Sequence, residues 1–208
     1  MQYISSNSVI ELSYVKVYHV QILALSRKVG FEGSLQQSRR VKTGSPMETI
    51  LFENQRLSII DRNGYIYTHT KNSVVYVLPY RYPKRGAYLL GHFEVCPAHS
   101  LQKELYAITG QCEPGVDPLH RALSELREEA GIVADSARFV SLGSGYLTKQ
   151  ADTIAHFFAI DVTDMPRGQA QTDESQFEQG SYCDWVSRAQ ALSAPCVGLQ
   201  ALIARARL

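Results

Sequence analysis

The chain is 208 residues long, enough for one well-buried core or a core domain with a smaller appendage, and with 45% apolar and 20% charged residues it is not a mainly disordered polymer. A formal net charge of +1, from 21 Lys and Arg against 20 Asp and Glu, argues against a surface built throughout to grip nucleic acid. Four separated cysteines, a start without a secretion leader and no apolar run near the ~20 residues of a membrane helix together read as a reduced, cytoplasmic protein outside the membrane.

Tyr14 to Val20 alternates loosely with period two, a strand signal, and Ser26 to Pro46 turns polar and basic, as a connector would. Residues 1–45 carry six Lys and Arg against two acids. Strands are expected at Ile50–Phe52, Leu57–Ile60 and Tyr65–His69, with Asn63-Gly64 as a hairpin turn because both residues tolerate positive φ. The nearly unbroken apolar run Ser73–Pro79 reads as a central strand buried on both faces, followed by another strand at Tyr88–Val95. Further on come a strand over Thr153–Ile160, an aromatic run at Tyr182–Val186 and two short helices between Ser187 and Leu208.

Chemistry concentrates between Gly110 and Ile132. Asp117-Pro118 is an N-cap followed by a favourable first helical residue, and Gly131 is a natural stop, so a helix runs from about Pro118 to Ala130. Ala122, Leu123, Leu126 and Ala130 give it an apolar face. Glu125, Glu128 and Glu129 stand at i, i+3 and i+4 and project from one side. Crowded carboxylates repel, and a hard divalent cation such as Mg²⁺ or Mn²⁺ resolves that conflict; a solvated acidic face is the bland alternative. His92, His120 and His156 show no metal-ligand spacing, while Cys112 and Trp185 read as core residues.

The frame around the glutamates resembles the Nudix box, G-x5-E-x7-R-E-U-x-E-E-x-G-U with U aliphatic. Gly110, Glu125, Leu126, Glu128, Glu129, Gly131 and Ile132 fall in register, whereas Val116 stands in place of the first Glu and Ser124 in place of the Arg. The resemblance implies a Nudix fold of the α/β (α+β) class, a mixed sheet sandwiched between helices, with an N-terminal β-rich extension over residues 1–68 and the Nudix domain over 69–208. It implies Mg²⁺, with Mn²⁺ as the alternative, held by Glu125, Glu128 and Glu129 beside Gly110, and water attack on phosphorus with Glu128 in the catalytic group. Glu178, with Glu174 second, comes from the acidic stretch 168–187, where the family has a mobile loop that supplies a further ligand or the general base. Arg121, one turn before Glu125 on the same face, is a substitute for the missing Arg.

Arg81 and Arg85 are candidates for holding substrate. The implied substrate is a nucleoside diphosphate linked to a second moiety, of the ADP-ribose or nucleotide-sugar kind, with homodimerisation through the N-terminal region, as in the ADP-ribose pyrophosphatase branch. A dinucleoside-polyphosphate or nucleoside-triphosphate pyrophosphohydrolase, and a nucleotide-sensing module without catalysis, are the competing readings. A stable nucleic-acid partner is not expected.

Overall fold

The structure, a computed structural model, describes residues 40–41, 48–83, 86–171 and 180–208. Its first sheet is antiparallel, with β1 (Arg40–Val41), β2 (Glu48–Glu53), β3 (Leu57–Arg62) and β4 (Tyr65–Thr70) in sequential order. The β3–β4 turn puts Asn63 at φ 54° and Gly64 at φ 88°, the left-handed pair that a two-residue hairpin requires. β1 lies inside the stretch expected to be a plain connector. Pairing with Glu48 and Thr49 draws Arg40 and Val41 into the sheet, and no local sequence signal announces that. The strand expected over Tyr14–Val20 falls outside the described residues.

The second sheet has seven strands: β5 (Ser73–Arg81), β6 (Tyr88–Val95), β7 (Lys103–Tyr106), β8 (Ile108–Cys112), β9 (Phe139–Tyr146), β10 (Ile154–Asp161) and β11 (Tyr182–Ser187). Its order is β11-β6-β5-β10-β9, with β7 on β6 and β8 on β5. β10 runs parallel to β5 and every other pairing is antiparallel, so the sheet is mixed. Helix α1 (Pro118–Ala130) covers one face, and α2 (Arg188–Ser193) and α3 (Val197–Ala206) cover the other. The expected α+β architecture, a mixed sheet between helices, is what the chain adopts, and the described part of the expected N-terminal extension forms the first sheet.

β5 shows why its apolar run is continuous. Val75 and Val77 face α1, packing with Leu90, Ile108 and Leu126, while Leu78 joins Phe157, Leu199 and Leu202 on the far side. Burying side chains of this size contributes about 1.5–3 kcal/mol each, so both faces of the strand must be apolar. The two sheets are stitched together at β4, which runs past residue 68 to Thr70. Thr68 bridges Ala151, His69 Nδ1 lies 2.6 Å from Asp152 Oδ2, and the Thr70 amide donates to Asp152 Oδ1. Among the described residues no helix is long and apolar enough to cross a membrane.

Candidate active site

Helix α1 starts and stops where its end residues dictate. The Asp117 side chain accepts from the Leu119 amide at 3.1 Å, Pro118 needs no donor in the first turn, and Gly131 closes the helix at φ 66°. A Cβ on Gly131 would come within 2.4 Å of the Gly168 carbonyl oxygen, so the glycine also lets residues 167–171 dock on the helix end. There the Arg167 Nε–H donates to the Ala130 carbonyl, Gly168 N–H to Gly131 and Gln171 N–H to Glu128. Backbone carbonyls that a free helix end leaves open are thereby satisfied.

The face of α1 that meets the sheet is not wholly apolar. Ala122, Leu126 and Ala130 are buried as expected, but Leu123 is only half-buried and Glu125, 4% exposed, takes an inward place. Gly110 explains how a carboxyl fits there. It lies on β8 opposite Val75, and a Cβ at this position would stand 1.6 Å from Glu125 Oε1 and 2.2 Å from its Cδ. The hydrogen on Gly110 is thus the space in which the Glu125 carboxyl rests.

Burying a carboxyl is costly without a partner. Arg121, four residues earlier, supplies one: an Arg121 terminal nitrogen pairs directly with Glu125, and the other lies 3.8 Å from Glu128 Oε2. Arg127 stands 3.6 Å from the second oxygen of Glu128, whose side chain is a third exposed at the rim. The last glutamate turns to the sheet. Glu129 Oε2 is 2.8 Å from Nδ1 of His92, a residue 2% exposed on β6, and the Thr109 backbone N–H donates to the same carboxyl. Burial pushes the Glu129 pKa up; His92 and Thr109 pull against that, and the nearby charge of Glu94 adds to it. Cys183, opposite His92 across β6 and β11, donates its thiol to the Glu129 carbonyl at 3.5 Å, and burial pushes that thiol up to about 12.

His92 is the residue that motif reading passes over. It matches no ligand spacing, and the only trace in sequence is a titratable side chain sharing a strand face with Leu90, ahead of a helix rich in glutamate. Arg81 falls on the same face of β5 as Val75 and Val77, with its guanidinium 4.0 Å above the Trp185 ring. Trp185 is half-buried beneath it rather than a full core residue. Arg85, Glu174 and Glu178 lie outside the described residues. Cys112 is buried, as expected of a small apolar side chain.

Among the described residues, no three His, Cys, Asp or Glu side chains close on one point as a complete metal cage would. Mg²⁺ does not need such a cage, since it keeps several waters and is usually held by one or two carboxylates with substrate phosphates. Arg121 reaches Glu125 and Glu128 together, so one positive centre already serves both carboxylates. Hard oxygen donors gathered on one face around a cation fit Mg²⁺ in donor type.

No family model and no curated protein matches the sequence. Among solved structures the chain is similar to the T. brucei MERS1 protein in its apo form, at 17% identity and a TM-score of 0.44 over 51% of this chain and 45% of that one. It is similar to an ADP compounds hydrolase at 14% identity and a TM-score of 0.44, over 75% and 77% of the two chains. It is also similar to a chain in the complex between the C-terminal domain of mouse MUTYH and human PCNA, at 13% identity and a TM-score of 0.48, over 65% and 87%. The chain thus spans less than half of the MERS1 protein it resembles.

Proposed function

We propose that the chain hydrolyses a phosphoanhydride in a nucleoside diphosphate linked to a second moiety, of the ADP-ribose or nucleotide-sugar kind. The observation that carries this reading is the seating of Glu125 against Gly110, with Glu128 and Glu129 on the same helix, each beside a cationic or imidazole group. Glu125, Glu128 and Glu129 would hold Mg²⁺, which supplies charge neutralisation on the diphosphate and an activated water. Arg121 pins Glu125 and draws Glu128 toward it. His92 and the Thr109 amide fix Glu129 in a pocket that otherwise favours its protonated form. Glu128, the most exposed of the three, would accept a proton from a solvent-side water. Arg81 on Trp185 offers a guanidinium face to an anionic substrate.

A second reading has its own observation. Arg121 and His92 already stand against the carboxylates, and Ser124 and Val116 leave the box incomplete, as suits a module that binds a nucleotide without cleaving it. Incubation with Mg²⁺ and ADP-ribose, nucleotide sugars, diadenosine polyphosphates or nucleoside triphosphates, followed by product analysis, separates the two. The hydrolase reading expects turnover on a member of the panel and its loss in Glu129→Gln. No turnover, with tight binding that ignores Mg²⁺, overturns it in favour of the sensor.

A further inference from the structure

A cavity with polar and charged side chains in its wall lies where the two sheets meet, away from the glutamates. Its volume is about 240 Å³, and Gln55, Arg56, Thr70, Lys71, Asn72 and Gln111 are among the residues that line it. Gln111 follows Gly110 on β8, and successive strand residues point to opposite faces. Gly110 meets Glu125 on the α1 face, so the cavity opens on the other side of the same strand.

Among the described residues the wall carries two cations and no carboxylate. Among the described residues neither Arg56 nor Lys71 has an ion-pair partner. The frame around them is already ordered. Asn54 Oδ1 accepts from the amides of Arg56 and Leu57, both at 2.8 Å, fixing the turn that carries Arg56. Thr70 Oγ1 shares a hydrogen bond with Thr153 Oγ1 at 2.7 Å, and Asn72 Nδ2 donates to Gln111 Oε1 at 3.2 Å. The cavity therefore joins two positive charges, unpaired among the described residues, to a set of hydroxyl and amide groups held in place by one another.

We infer that this cavity binds a phosphoryl dianion, as free phosphate or as the end group of a small phosphate ester. A monovalent carboxylate balances only one of the two cations, whereas a phosphoryl group carries nearly two charges and three acceptor oxygens. Guanidinium and ammonium together suit it, the first as a planar fork and the second as a mobile point charge. The volume, below the roughly 300–1,000 Å³ of pockets for drug-sized ligands, limits the remainder of an ester to about the size of a sugar.

The full chain is titrated by calorimetry with inorganic phosphate, ribose 5-phosphate and acetate at constant ionic strength. Saturable one-to-one binding of at least one phosphate compound is expected, with acetate much weaker. Tighter binding of ribose 5-phosphate identifies an ester as the ligand, and equal affinities identify the free anion. Replacing Arg56 and Lys71 together by Gln removes two charge-assisted bonds and weakens binding by about tenfold or more. Both side chains are exposed, and an unchanged unfolding midpoint in the double variant certifies its fold. Glu129→Gln leaves the affinity as it was, which separates this site from the glutamate helix. Absence of saturable binding, affinity unchanged in the double variant, affinity lost in Glu129→Gln, or acetate bound as tightly as phosphate would each overturn the assignment.

Discussion

Replacing Gly110 by Ala tests whether the Glu125 carboxyl sits where the structure has it. The new Cβ would stand 1.6 Å from Oε1, 2.2 Å from Cδ and 2.6 Å from Cγ, against an ordinary contact of 3.4–4 Å. The carboxyl must retreat by about 2 Å, or β8 must move away from α1. Overpacking of this kind costs typically 1–3 kcal/mol. For a chain of this length each kcal/mol lowers Tm by roughly 2–4 °C, so a fall of roughly 2–12 °C is expected by scanning calorimetry. A displacement of even ~1 Å in a catalytic constellation can cost ~100-fold in rate, and the larger retreat of Glu125 should reduce turnover by at least that.

Gly198→Ala is the matching control, because its Cβ would meet Tyr76 Cε1 at 2.2 Å on the opposite face of the sheet. It should lose comparable stability and keep turnover at temperatures well below its midpoint. Glu125→Asp, one methylene shorter, should recover part of the stability lost in Gly110→Ala, a coupling that a double-mutant cycle reads directly. Gly110→Ala with unchanged midpoint and full turnover would refute the placement of Glu125, as would equal loss of turnover in Gly198→Ala.

Three further outcomes are expected. The folded state holds Glu129 at a pKa above its ordinary 4.5, so between 4.5 and that raised value the folded chain binds more protons than the unfolded one, and wild-type stability falls as pH rises through this window. Glu129→Gln removes that dependence and should be relatively more stable at neutral pH while losing activity; denaturant midpoints of both proteins across pH 4–8 check it, and parallel profiles would contradict it. Arg121→Ala strips Glu125 and Glu128 of their shared cation and should lower turnover and unfolding midpoint together, with Arg121→Lys restoring only part because an ammonium cannot fork between two carboxyls. Cys183 is 5% exposed with its thiol raised to about 12, so alkylation of the native chain followed by peptide mapping should find the less buried Cys96 modified first and Cys183 only on unfolding.

Local chemistry carried most of the fold into the sequence. Asp117, Pro118 and Gly131 mark the ends of α1 because capping is settled within a few residues, and Asn63-Gly64 marks its hairpin for the same reason. The apolar run of β5 is legible because a strand covered on both faces has no polar option. What periodicity does not carry is pairing at long range. β1 is a strand only because β2 lies beside it, and His92 matters only because β6 passes beneath Glu129, 37 residues further along the chain. The inward turn of Glu125 is similarly hidden. Helical spacing puts it with Glu128 and Glu129, and only the bare backbone of Gly110 decides that it points to the sheet.

The two departures from the Nudix-like box acquire a physical meaning once the helix is in place. An Arg at position 124 would lie about 100° around the helix from Glu125, whereas Arg121 lies on the same face one turn away and Glu128 two turns from Arg121. A guanidinium at 121 therefore reaches both carboxyls without leaving the stripe. Val116, where the box has its first acid, is partly exposed, and its backbone carbonyl accepts from the Cys112 thiol at 3.4 Å, so the loop is held without a carboxylate there. The loop and helix together thus have one acid fewer than the box pattern, and the helix gains an imidazole from β6 at its far end. On the proposed reading, a divalent cation entering this stripe would share Glu125 and Glu128 with Arg121, so the contact that stabilises the buried carboxyl would also set how readily the metal is taken up.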